Sequence, residues 1–83
     1  MEERDVTQIL SAADDSVSLI NGVNDGSWNV DGMEQNEIND MVQRNVDHLE
    51  IILAYEEVVA DSSDKSSYNS AISTGKSYIS SNS

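Results

Sequence analysis

The chain predicts an all-α protein of three helices, and three observations carry that expectation. Between Met33 and Ala60 the apolar side chains recur in steps of three and four, the period of one helix face. Proline is absent, so long segments carry no obligate helix breaker. Glycine, Asn, Asp and Ser crowd into NGVNDGSWNVDG at 21–32, which separates two helical patterns as a loop. The expected arrangement is a single small domain, residues 1–83, with a helical hairpin and a shorter C-terminal helix.

A first helix is expected over 5–21. Val6, Ile9/Leu10, Ala13, Val17 and Ile20 share one face, and Asp14, Asp15 and Ser18 lie away from it. Asp5 is its expected N-cap and Asn21-Gly22 its stop. Arg4 sits at the end where the helix dipole prefers an anion, so the first turn should be weakly set. In the loop at 22–32, Trp28 is expected to fold back as a lid over the end of the hairpin; the competing reading makes it an exposed anchor for a partner.

The second helix, over 33–60, is the element against which the rest packs. Its stripe comprises Ile38, Met41/Val42, Val46, Leu49, Ile52/Leu53 and Val59. Glu34 and Glu37 fall early, where negative charge suits the dipole, and Arg44, four after Asp40 and followed by Asp47 and Glu50, is placed to bridge acids on the outer face. After Ala60 the composition turns to serine, which by itself suggests disorder. Periodicity opposes that: Tyr68, Ala71/Ile72, Gly75 and Tyr78/Ile79 recur at helical spacing, predicting a third helix over 65–80, held by packing rather than by the weak helix preference of serine. Gly75 on that apolar side admits a close neighbour, from this chain or from another copy. Tyr68, Ile72, Gly75 and Ile79, with Trp28, are therefore the candidate partner-binding residues.

Composition narrows the function. Sixteen Asp and Glu against four Lys and Arg give a formal charge of −12, which repels polyanions and argues against direct nucleic-acid binding. No run approaches the ~20 apolar residues that span a bilayer, and MEERDVTQ lacks the basic-then-apolar order of a secretory signal. A soluble protein made and used in the cytoplasm is expected. With no cysteine and one histidine, thiolate and zinc centres are excluded, and no cofactor is expected.

Candidate chemistry is sparse. Asp25, Ser27, Asn29 and Asp31 alternate like calcium ligands, but an EF-hand register started at Asp25 puts Val30 where glycine is needed and Asn36 where a bidentate Glu is expected. His48 lacks a converging set of ligands or a nucleophile and reads as an edge residue of the helix interface. Glu56 and Glu57 point about 100° apart on a helix, so they make a solvated rim rather than an acid/base pair. Together with Asp40, Asp47 and Glu50 they form an acidic surface. Such a surface either keeps the protein soluble or imitates the phosphates of DNA in the basic cleft of a nucleic-acid enzyme.

The segment MVQRNVDHLEIILA and, after a polar break, NSAISTGKSYI together resemble a pattern in small uncharacterised helical proteins of tailed bacteriophages, particularly those of marine bacteria. Gln43, Arg44, Asn45, Val46, Asp47, His48 and Leu49 carry the likeness, then Ala71, Gly75 and Tyr78. It covers about half the chain, and the serine-rich third helix departs from the more Ala/Glu-rich versions. The resemblance implies a phage origin and a small helical protein, and it transfers no active site. The expected function is a non-enzymatic protein–protein interaction module, a minor virion or assembly component binding a protein partner or copies of itself. The alternative is an acidic DNA-mimic inhibitor.

Overall fold

The computed structural model describes residues 4–54 and 62–82, with side chains from Gln8 to Ala54 and from Lys65 to Asn82. It is an all-α unit of three helices: α1 (Arg4–Asp25), α2 (Gln35–Leu53) and α3 (Ser62–Ser81). Ser16 of α1 meets Asn45 of α2, and Asn39 near the start of α2 meets Asn82 just beyond α3. The helices thus run up, down and up, each packed on the other two.

The expected stripe of α2 is the centre of the core. Ile38, Val42, Val46, Leu49 and Ile52 are buried, with Met41 and Leu53 partly buried beside them. Ala13, Ile20 and Val23 of α1 and Tyr68, Ala71 and Ile72 of α3 complete it. Val59, Tyr55, Glu56 and Glu57 lie outside the described residues, as do the side chains of Asp5 and Val6.

Several boundaries differ from expectation, among them the end of α2, which falls at Leu53 with Ala54 as its C-cap rather than at 60. The first helix already includes Arg4, one residue before the expected cap. It also runs through Gly22 to Asp25, and the stop falls at Gly26, whose φ of +86° is the left-handed backbone that glycine adopts without a Cβ clash. Gly22 instead seats Trp28: a Cβ there would lie 3.2 Å from Trp28 Cβ, and the Trp28 amide donates to the Gly22 carbonyl at 3.0 Å. The second helix starts later than expected, at Gln35, where the Glu34 amide donates to Glu37 Oε1 at 2.9 Å as in a capping box. The third begins at Ser62, three residues early.

Gly75 lets α3 lie close to both neighbours. A Cβ on it would stand 2.5 Å from Val46 Cγ2 and 3.3 Å from both Ile20 Cγ2 and Val42 Cγ1. The expected close approach is therefore made by both other helices of the same chain. At one end of the bundle, Gln35 Nε2 donates to Tyr78 Oη at 3.0 Å, and Asn39 Nδ2 donates to the Asn82 carbonyl at 3.1 Å, tying the end of α3 to the start of α2.

Candidate interaction face

The candidate partner residues of α3 are spent on the core. Tyr68 is 1% exposed, Ile72 and Gly75 are buried, and Ile79 packs against the same cluster. The seam expected to meet a partner is filled by Val42 and Val46 of α2 and Ile20 of α1, because an apolar stripe of one helix is covered first by helices tethered to it. Outward, α3 shows mainly serine: Ser66, Ser67, Ser70, Ser73 and Ser77 are exposed. Trp28 takes an intermediate role. It rests on Gly22 yet remains 39% exposed, so it covers the end of α1 and still presents ring surface.

The more distinctive surface is the outer side of α2, opposite its core stripe. Met33, Glu37, Asp40, Met41 and Arg44 line a shallow groove of about 280 Å³ there. The two methionines are half-buried, while Glu37, Asp40 and Arg44 are exposed. At helical spacing beyond Arg44 stands Ile51, which is 58% exposed. Exposed isoleucine is unremarkable singly, and Ile51 lies beyond the groove, whose two methionines also pack against the core. Helical spacing puts Ile52/Leu53 on the buried stripe and leaves Ile51 off it, but nothing in that spacing singles Ile51 out as a functional residue.

The charges on this face are arranged differently from expectation. Arg44 forms no ion pair among the described residues, although Asp40 lies one turn before it. Asp47 is engaged by Gln43, whose Nε2 donates to Asp47 Oδ1 at 2.8 Å. Glu50 pairs instead with Lys76 of α3 at 3.1 Å, a contact with both side chains about half exposed and so worth little. Of the acidic surface, Asp40, Asp47 and Glu50 are exposed, whereas Glu56 and Glu57 fall outside the described residues.

Two buried polar features lie toward α1. Ser16, only 4% exposed, donates from Oγ to Asn45 Oδ1 at 2.8 Å, and Asn45 Nδ2 donates to the Met41 carbonyl at 2.8 Å. This closed network satisfies each group it buries and pins the register of α1 on α2. His48, one turn further on, differs: its buried Nε2 meets no hydrogen-bond partner among the described residues.

The loop that alternates like a calcium site turns its oxygens onto its own backbone. Asp25 Oδ1 accepts from the Ser27 amide at 2.8 Å, and Asn29 Oδ1 accepts from the Asp31 amide at 2.9 Å. Hydrogen bonds from the Ser27 side chain and then its backbone hold the Asp25 carboxyl below the ordinary aspartate range. Among the described residues, no three His, Asp or Glu side chains gather as a metal site. No helix among them is long and apolar enough to cross a membrane.

These features define a small acidic three-helix bundle with a mixed apolar and charged face on its central helix. No protein-family model, curated protein or solved structure matches the chain.

Proposed function

We propose that the protein is a non-enzymatic interaction module, a minor virion or assembly component of a phage that docks through a helical face. The observation that supports this reading is the groove at the start of α2, where Met33 and Met41 lie beside Glu37, Asp40 and an Arg44 that makes no ion pair among the described residues, with Ile51 exposed further along the helix. Apolar anchors beside unpaired charge are the composition of a docking surface, since the former supply burial and the latter set register. The α3 seam no longer belongs to this reading, because it is inside the molecule.

The second reading, an acidic inhibitor that imitates DNA, is favoured by the exposed Asp14, Asp15, Asp40, Asp47 and Glu50. It ranks lower because Glu50 is already paired with Lys76 and Asp47 with Gln43.

Quantitative mass spectrometry of purified particles from the phage that encodes the chain separates the two. The module reading expects a fixed copy number per particle. A protein absent from particles that binds a host nucleic-acid enzyme, with affinity falling steeply as salt rises and lost on Asp40→Lys, would replace it with the mimic.

A further inference from the structure

We infer that the bond between Asp31 and Gly32 is a modification site, where succinimide formation and hydrolysis by water turn Asp31 into isoaspartate within the turn that leads into α2. This chemistry needs no partner and stands apart from the docking reading.

Three of the four glycines follow Asn or Asp, at Asn21-Gly22, Asp25-Gly26 and Asp31-Gly32. Glycine matters there because no Cβ shields its amide nitrogen, the atom that attacks Cγ of the residue before it. For aspartate, the N–Cγ bond forms as the Cγ–OH bond of the protonated carboxyl breaks, and water leaves with that hydroxyl and the amide proton. A second water then opens the ring. Its attack at the backbone carbonyl carbon breaks the bond from that carbon to nitrogen, so the chain now runs through Cγ, one carbon longer and unchanged in mass.

The three bonds are placed differently in the fold. Asn21 and Gly22 lie inside α1, where the Gly22 amide is committed to the helical ladder, and Gly22 is buried against Trp28. Ring closure there requires the helix to open. Gly26 and Gly32 both sit in turns at positive φ, +86° and +81°, with nothing within 4 Å of the place a Cβ would occupy.

Their aspartates separate them. Asp25 Oδ1 accepts from the Ser27 amide at 2.8 Å, and the Ser27 bonds that lower the pKa of this carboxyl keep it in the ionised form, which has no hydroxyl to expel. The exposed Asp31 side chain accepts no hydrogen bond among the described residues. The bonds that shape its turn run from the Asp31 amide to Asn29 Oδ1 at 2.9 Å and from the Met33 amide to the Val30 carbonyl at 3.1 Å. Neither engages the Asp31 carboxyl or the Gly32 nitrogen.

The product falls at a sensitive place. The extra backbone carbon enters between Val30 and Met33, just before Met33 of the groove and the Glu34 amide of the α2 capping box.

Ageing the folded full chain in mildly acidic buffer tests the site. Isoaspartate is read by methyl transfer from S-adenosylmethionine with an isoaspartyl methyltransferase and located by electron-transfer fragmentation, after chymotryptic cleavage at Trp28 has put Asp25 and Asp31 on separate peptides. Label should accumulate at Asp31 several-fold over Asp25, with none at Asn21. In urea, Asp25 and Asp31 should label alike and Asn21 should overtake both, because asparagine expels ammonia and needs no protonated carboxyl. Asp31→Glu, whose longer side chain closes a larger ring more slowly, should lose the label at that position, with circular dichroism checking that the variant stays folded. Equal labelling of Asp25 and Asp31 in the folded chain overturns the inference, as does label appearing first at Asn21, or an Asp31 that stays unlabelled while the urea sample reacts. Either result is independent of whether the protein is found in particles.

Discussion

Gly75 shows how one missing methyl sets the distance between three helices. In an isolated helix alanine is better than glycine by about 1 kcal/mol, so Gly75→Ala gains on local grounds. The new Cβ, however, would press on Val46 Cγ2 at 2.5 Å, and on methyl groups of Ile20 and Val42 at 3.3 Å. A β-branched side chain inside a packed core has no free end to swing aside, and overpacking of this kind costs about 1–3 kcal/mol. Packing wins. Gly75→Ala should lower stability by about 1–2 kcal/mol, seen as an earlier urea midpoint; an unchanged or later midpoint would mean that α3 can retreat from α2 at no cost.

At the scale of elements, the end of α1 is decided by two neighbouring residues rather than by the first glycine met. Gly22 remains helical because its bare backbone gives Trp28 a place to lie, and Gly26 ends the helix because it takes positive φ. Asp25, between them, sits at a helix C-terminus, where the dipole disfavours a carboxylate. Its hydrogen bonds from Ser27 outweigh that effect and lower its pKa. Since the folded value lies below the unfolded one, this carboxylate's contribution is present above the unfolded value and is lost as pH falls through the lowered folded value. Titration followed by carboxyl NMR should place Asp25 below an unfolded aspartate. Ser27→Ala should raise the midpoint by removing the hydroxyl, the larger of the two Ser27 contributions; no movement would show that the backbone amide alone holds the carboxylate.

For the whole molecule, charge and packing act against each other. A core of aliphatic residues and one buried tyrosine must hold together a chain of net charge −12, and the ion pair Lys76–Glu50 is too exposed to matter much. Screening the repulsion should therefore stabilise more than loss of that pair destabilises. Raising salt from about 0.01 M to about 0.15 M should lift the thermal midpoint of dilute protein by a few degrees, measured by circular dichroism at 222 nm. A falling midpoint would mean that attractive pairs, not net repulsion, dominate the surface.

The sequence by itself determined the class of the fold, because a period of three to four in α2 leaves one set of side chains that can be buried together, and Ile38, Val42, Val46 and Leu49 are that set. It also carried the third helix, since the spacing of Tyr68, Ile72, Gly75 and Ile79 survives within a serine-rich composition. Tertiary structure alone decided what lies against what. Whether Gly75 meets its own chain or another, and whether Arg44 finds an acid within reach, both depend on how the helices are rotated about their axes. That rotation is set by the combined packing of three elements and by the Ser16–Asn45 hydrogen bond, none of which is a property of any single stretch of residues. The outer face of α2, the part proposed to act, is what remained after the core had taken its share.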